Sequence, residues 1–261
     1  MELTTILGCA AGVIAVVIAM HFKGISYSAF ENPAALTIIF MGTVASVLNA
    51  FPLRDLKVTG TLFKILFTTD KNLGDPATII ETIVGLSTQA RKEGILSLEA
   101  TADKLEDPFM RKGIKMLVDG ADPEYILDVL SLEIESIEER HNKNAGIFSQ
   151  AGTYAPTLGV LGAVFGLIAA MSHIDDINMM AEAVAAAFIA TILGIFTGYV
   201  LWNPFSNKLK VKSKHEIDEK NMIIEGLLSI QKGEAPMLVR DKLMSMLPES
   251  QQKSLAPEPP K

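Results

Sequence analysis

Cysteine, basic charge and recognisable catalytic spacing are all scarce in this sequence, and each shortage removes a class of function. The lone cysteine, Cys9, lies in an apolar run. One chain therefore builds neither a disulfide framework nor a cysteine-based metal centre. The net charge is −7 and the isoelectric point lies near 5.2, which argues against nucleic-acid binding. No βαβ pattern, phosphate loop or metal-ligand spacing occurs, so no cofactor is implied. His21, His141, His173 and His215 are far apart and read as solvated or interfacial. No nucleophile–base pair or pair of membrane acids supports an enzyme. The first segment lacks a positive leader, and its apolar run is too long for a cleavable signal peptide.

Apolar character is what the chain has in plenty. Of 261 residues, 49% are hydrophobic and 20% charged, with mean hydropathy +0.32. The apolar residues must be segregated into membrane spans. Four segments suit: about Leu3–Phe22, Ala34–Leu53, Ile147–Met171 and Met179–Trp202. Roughly 20 residues at about 1.5 Å rise cross a hydrocarbon core of about 30 Å. The expected fold is all-α, a polytopic membrane protein with four transmembrane helices and a helical cytoplasmic domain. Residues 1–53 hold the first two spans, 54–146 the loop domain, 147–202 the last two spans, and 203–261 a C-terminal part. Lys23 alone is basic in the first connection, and SHIDDIN in the third has no Lys or Arg. Arg54, Lys57 and the Lys208–Lys214 cluster flank the other side, so both termini are expected to be cytoplasmic. Tyr199 and Trp202 fit an interfacial belt.

The loop domain reads as helices punctuated by Asp75-Pro76, Asp107-Pro108 and Asp122-Pro123, each an N-cap followed by a tolerated first-turn proline. Gly94 and Gly120 sit where helices end. Ile126, Leu130, Ile134 and Ile137 share one helical face, and Glu133, Glu135, Glu138 and Glu139 occupy the other. That helix is expected to run into the third span. In the tail, Met222, Ile223, Leu227 and Ile230 predict a helix ending near Gly233, with a second over 235–247. SLAPEPPK reads as disordered.

The middle of every span lacks Asp, Glu, Lys, Arg and His. Glu182, Asp175 and Asp176 mark a wet outer mouth, because a buried carboxylate is costly there. An ion path through this chain must therefore borrow a titratable group. Spans three and four are instead rich in small and hydroxyl residues: Thr157, Gly159, Gly162, Ala163 and Gly166, then Ala190, Thr191 and Gly194. Small residues permit close helix packing, and they also make a smooth wall against another helix. Pro156 interrupts one backbone bond. A sliding surface of that kind predicts that Gly162→Leu or Ala190→Leu stops function while the complex stays assembled.

The runs AGTYAPTLGVLGAVFGLIAAMSH and AAAFIATILGIFTGYVLWNPFSNKLK, with ARKEGILSLEA in the loop, resemble the MotA/PomA family of flagellar motor stator subunits, relatives of TolQ and ExbB. The resemblance covers essentially the whole chain. It implies a homopentamer around a single-span MotB partner that carries the membrane aspartate. Ion flow past that aspartate drives the rotor protein FliG. It also implies coupling roles for Pro156 and Pro204, rotor contact by Arg91 and Glu99, and a bacterial cytoplasmic membrane location. Sodium-driven relatives carry a threonine where Ala163 stands and a Thr-Thr pair where Ala190-Thr191 stands. The missing hydroxyls favour protons, while a sodium-driven variant stays an alternative. Thr191 has two readings, a bond to the partner aspartate or one to its own helix four residues back. A TolQ/ExbB-type energiser is the nearest competitor, but it has three spans. A non-conducting scaffold explains the small residues but not Pro156 with Thr191.

Overall fold

Apolar runs become helices here, and several end at glycine or at an extended residue, as at Gly24, Phe51, Thr68 and Gly94. The computed structural model describes residues 2–26, 30, 32–68 and 75–255. Among the described residues all regular structure is helical. The main elements are α1 (Leu3–Lys23), α2 (Pro33–Ala50), α3 (Thr59–Phe67), α4 (Pro76–Glu93), α5 (Pro108–Val118), α6 (Pro123–Met171), α7 (Ile177–Gln231), α8 (Pro236–Met244) and α9 (Glu249–Leu255). Helices α1, α2, α6 and α7 are each long and apolar enough to cross a membrane.

Several boundaries differ from the sequence reading. Helix α2 stops at Ala50 rather than Leu53, because Phe51 is extended (φ −128°, ψ 140°) ahead of Pro52. A residue before proline is pushed out of the helical region. The third span continues the acidic loop helix without a break, as expected. The fourth span also runs on, through Asn203, to Gln231, so the tail helix is its extension. Gly233 (φ 71°) ends it. Ser254 and Leu255 of SLAPEPPK close the short helix α9, and the rest of that stretch lies outside the described residues.

Two compact units form, one from Met1–Asp70 and Arg140–Val211, the other from Lys71–Glu139 and Lys212–Lys261. In the first, α3 packs with the spans: Leu62 and Leu66 are buried with Ala145, Phe148, Phe205 and Leu209. Trp202 is half-buried and stacks on Phe148 at 6.1 Å, with Phe63 edge-on to both. Trp202 thus also packs within this unit, while Tyr199 is exposed. Phe63 supplies the ring contacts that draw the indole inward; offset and edge-on pairs of this kind add about 0.5–1.5 kcal/mol beyond area burial. The N-terminus is tied to the same cluster. The Thr5 hydroxyl donates to the Leu66 carbonyl at 2.9 Å, and Lys208 Nζ lies 2.9 Å from the Glu2 carboxylate.

The second unit has its own core, built on Ile83, Ile114, Ile126, Leu130, Ile223 and Leu227. All three Asp-Pro signals act as read. Asp75, Asp107 and Asp122 accept the backbone N–H of Ala77 (3.3 Å), Phe109 (2.8 Å) and Glu124 (2.9 Å). Lys242 of α8 clasps Glu225 and reaches Ser229 at 3.2 Å. The Glu225 hydrogen bond holds the Lys242 ammonium above its ordinary pKa.

Candidate functional site

Spans three and four approach through atoms that glycine alone leaves free. A Cβ added to Gly159 would stand 2.9 Å from both the Ala190 carbonyl oxygen and the Gly194 Cα. One added to Gly194 would meet the Ala155 carbonyl and the Gly159 Cα at 2.8 Å. One at Gly166 would stand 2.8 Å from the Ala187 Cβ, and one at Gly162 would stand 3.2 Å from the Ala190 Cβ. Ala190 is 1% exposed. The small residues of α6 and α7 therefore pack on one another within one chain, and Ala190 belongs to that contact.

Pro156 lies inside α6, where its missing N–H leaves the Gly152 carbonyl without a helical donor. The opposite wall answers with a second irregularity. Residues Thr197–Trp202 of α7 form a wide π turn. Gly198 within it lies against the Pro156 ring: an added Cβ would meet Pro156 Cγ at 2.7 Å, Cδ at 2.8 Å and the Gly152 oxygen at 2.9 Å. A Gly198 Cα–H thus faces the carbonyl that Pro156 frees, a weak hydrogen-bond geometry. The Thr197 hydroxyl, at the start of that turn, donates back to the Leu193 carbonyl at 2.9 Å. Pro204 stands just past the turn's end, and a regular helix would clash its ring with the carbonyl four residues back. The extra residue in the turn shifts that register. Both prolines singled out from the sequence therefore meet one π turn. Such turns are frequent at functional sites.

The hydroxyls of this region are turned to their own helices. Thr157 donates to the Thr153 carbonyl (3.3 Å) and is exposed, and Thr191 donates to the Ala187 carbonyl (3.4 Å) and is half-buried. That Thr191 bond is the one four residues back named among its two readings. Ala163 is half-buried and Pro204 exposed. A second π turn, Thr37–Met41, interrupts α2, and its Ile39 carbonyl accepts the Thr43 hydroxyl at 2.5 Å. Asn32 caps α2 by accepting the Ala35 N–H at 3.0 Å and donates to the Ala186 carbonyl of α7 at 3.5 Å. At the N-terminus of α7, Asp176 accepts from Asn178 and Met179 and is exposed, as are Asp175 and Glu182.

Arg91 and Glu99 are not part of this cluster. They belong to the other unit and are exposed. Between them Gly94 (φ 88°) ends α4 in a backbone region open to glycine, and a short turn, Ile95–Leu98, follows. Sequence reasoning missed the π turns, Gly198 as the seat of Pro156, and Asn203, which lies against Gly152. Only the Asn203-Pro204 pair after an apolar run hints at any of them.

Comparison with known proteins fits this architecture. Residues 101–222 match the model of the MotA/TolQ/ExbB proton channel family. The chain is 47% identical over 252 residues to Motility protein A of Bacillus subtilis, covering 95% of this chain and 92% of that one. It is 36% identical over 256 residues to Motility protein A of Helicobacter pylori, with 95% of each covered. It superposes on a chain of the flagellar MotAB stator complex from Bacillus subtilis with a TM-score of 0.91 and 46% identity, over 97% of this chain and all of that one. The chain belongs to the MotA/TolQ/ExbB proton channel family, among its motility protein A members.

Proposed function

We propose that this multi-pass membrane protein is a flagellar motor stator subunit. With a MotB-type single-span partner it forms an ion path and turns ion flow into torque on the rotor protein FliG. The observation that carries the reading is a membrane core with two prolines at one wide turn and no Asp, Glu, Lys, Arg or His midway along any span. A chain built that way needs a partner's carboxylate, and its structural relative from Bacillus subtilis belongs to a MotAB stator complex. Five copies around two partners, termini on the cytoplasmic side and a bacterial cytoplasmic membrane complete the arrangement. Arg91 and Glu99 meet the rotor. Pro156 and Pro204 couple ion passage to helix movement, Gly159, Gly162, Gly166 and Gly194 keep spans three and four in contact, and Thr157, Ala163 and Thr191 border the path beside Ala190.

Protons are the transported ion. Sodium needs several oxygen ligands to replace its water, and Ala163 and Ala190 offer no side-chain oxygen. A proton needs only a carboxylate and a water path. Swimming of cells that rely on this subunit tests the choice. Motility should persist without sodium and fail when the pH gradient and membrane potential collapse. Motility that requires sodium at fixed pH would assign the chain to the sodium-driven group.

A further inference from the structure

Leu96 is 73% exposed and stands between Arg91 and Glu99 in sequence. Single exposed leucines are ordinary on protein surfaces, so exposure alone means little. What sets Leu96 apart is the stiffness of its support and the charges around it. Leu98 and Ala102, just beyond it, are fully buried in the core. Gly94 N–H donates to the Ala90 carbonyl at 2.9 Å, and the Ser97 hydroxyl and N–H both donate to the Gly94 carbonyl, at 2.6 and 3.1 Å. Gln89 then staples the turn from the side. Its amide donates to the Ser97 carbonyl at 2.9 Å and its oxygen accepts the Thr101 hydroxyl at 3.1 Å. The turn is thus bonded to helix on both sides, and Leu96 is held outward between exposed Arg91 and Lys92 before it and exposed Glu99 after it.

From this geometry we infer that Leu96 is the apolar anchor of the rotor contact. It seats in an apolar depression on a rotor surface whose rim carries a carboxylate facing Arg91 and a cation facing Glu99. The inference rests on the rotor contact proposed above and names what that contact is made of. Exposed ion pairs orient and steer a partner, but salt screens them and each holds weakly. Burial of a leucine is insensitive to salt, and a pre-ordered turn loses little entropy on docking. A motor contact under load needs the second property as much as the first.

The test is binding of purified FliG, as probe, to the intact complex of this chain with its MotB-type partner in nanodiscs, across a salt series. Wild type should retain a salt-resistant part of its affinity. Leu96→Ser should weaken binding on the order of tenfold with the salt slope unchanged. Leu96→Met should restore it, and Arg91→Ala should instead flatten the slope. Proton uptake by the Leu96→Ser and Leu96→Met complexes should match wild type. If Leu96→Ser binds like wild type while Arg91→Ala weakens binding, the anchor is overturned and the rotor contact stands. If neither wild type nor any variant binds, the rotor contact fails and the anchor with it. If Leu96→Ser changes the subunit number by native mass spectrometry, Leu96 lies between copies of the chain, and the anchor is again overturned.

Discussion

A methyl group added at Gly159 or Gly194 would put carbon within 2.9 Å of backbone on the opposite helix, where nothing flexible can give way. The helices must part, and overpacking of this kind costs about 1–3 kcal/mol, sometimes more. Ala190→Leu meets the same wall, since Ala190 is 1% exposed against the Gly159 and Gly162 face. The sequence alone suggested a sliding surface where a leucine would block rotation and spare assembly. The packing within one chain points the other way: Gly159→Leu and Ala190→Leu should lower the melting temperature of the purified complex and its yield. Gly85 of α4 provides the contrast, since nothing lies within 4 Å of an added Cβ there. Gly85→Ala should stabilise by up to about 1 kcal/mol through helix propensity. Equal melting of both variants and wild type would remove the basis for the close crossing. Asp103 offers a pH test away from the membrane. Lys115, 2.8 Å away, hydrogen-bonds its carboxylate and holds its pKa below the ordinary 3.8. The pair therefore adds stability above that ordinary value and loses it as pH falls through the lowered one. Asp103→Asn should reduce thermal stability slightly at neutral pH and not at all once wild-type Asp103 is protonated.

Helices six and seven owe their functional interest to where they are irregular. Pro156 frees the Gly152 carbonyl, and the π turn Thr197–Trp202 brings Gly198 against it. A contact between two interrupted backbones is easier to rearrange than one between two regular helices. Pro156→Ala would restore the N–H and the bond to Gly152, making α6 regular beside an unchanged turn. The variant should keep its partner in co-purification and lose torque in tethered-cell rotation. Wild-type torque would exclude the coupling role. These elements also show what a sequence can and cannot reveal. The four spans, the Asp-Pro caps and the face Ile126–Leu130–Ile134 were legible, because apolar period and cap chemistry are local. The π turns were not, since one inserted residue barely shifts an apolar run whose every face is apolar. The continuation of α7 past Trp202 was hidden by the fall in hydropathy, which marks the end of apolar surroundings and not of helix. The meeting of Pro156 and Gly198 is tertiary: both residues are visible in the sequence, but their contact depends on how α6 crosses α7.

At the scale of the whole molecule, the chain pairs a membrane unit without its own charge relay and a second unit with its own buried core. One elementary charge crossing the membrane supplies about 2.3 kcal/mol per 100 mV. That suffices to bias a rearrangement at the proline-bearing turn, and it is too little to unpack either core, where each fully buried leucine or isoleucine contributes about 1.5–3 kcal/mol. Proton passage that depends on a partner carboxylate is the consequence on which all of this turns. Proton uptake would be followed in sodium-free liposomes with an imposed potential, using this chain co-purified with a MotB-type partner freed of any plug. The predicted result is uptake that disappears when the partner's membrane aspartate becomes asparagine. An intact complex that passes neither protons nor sodium would contradict a stator role and leave a scaffold.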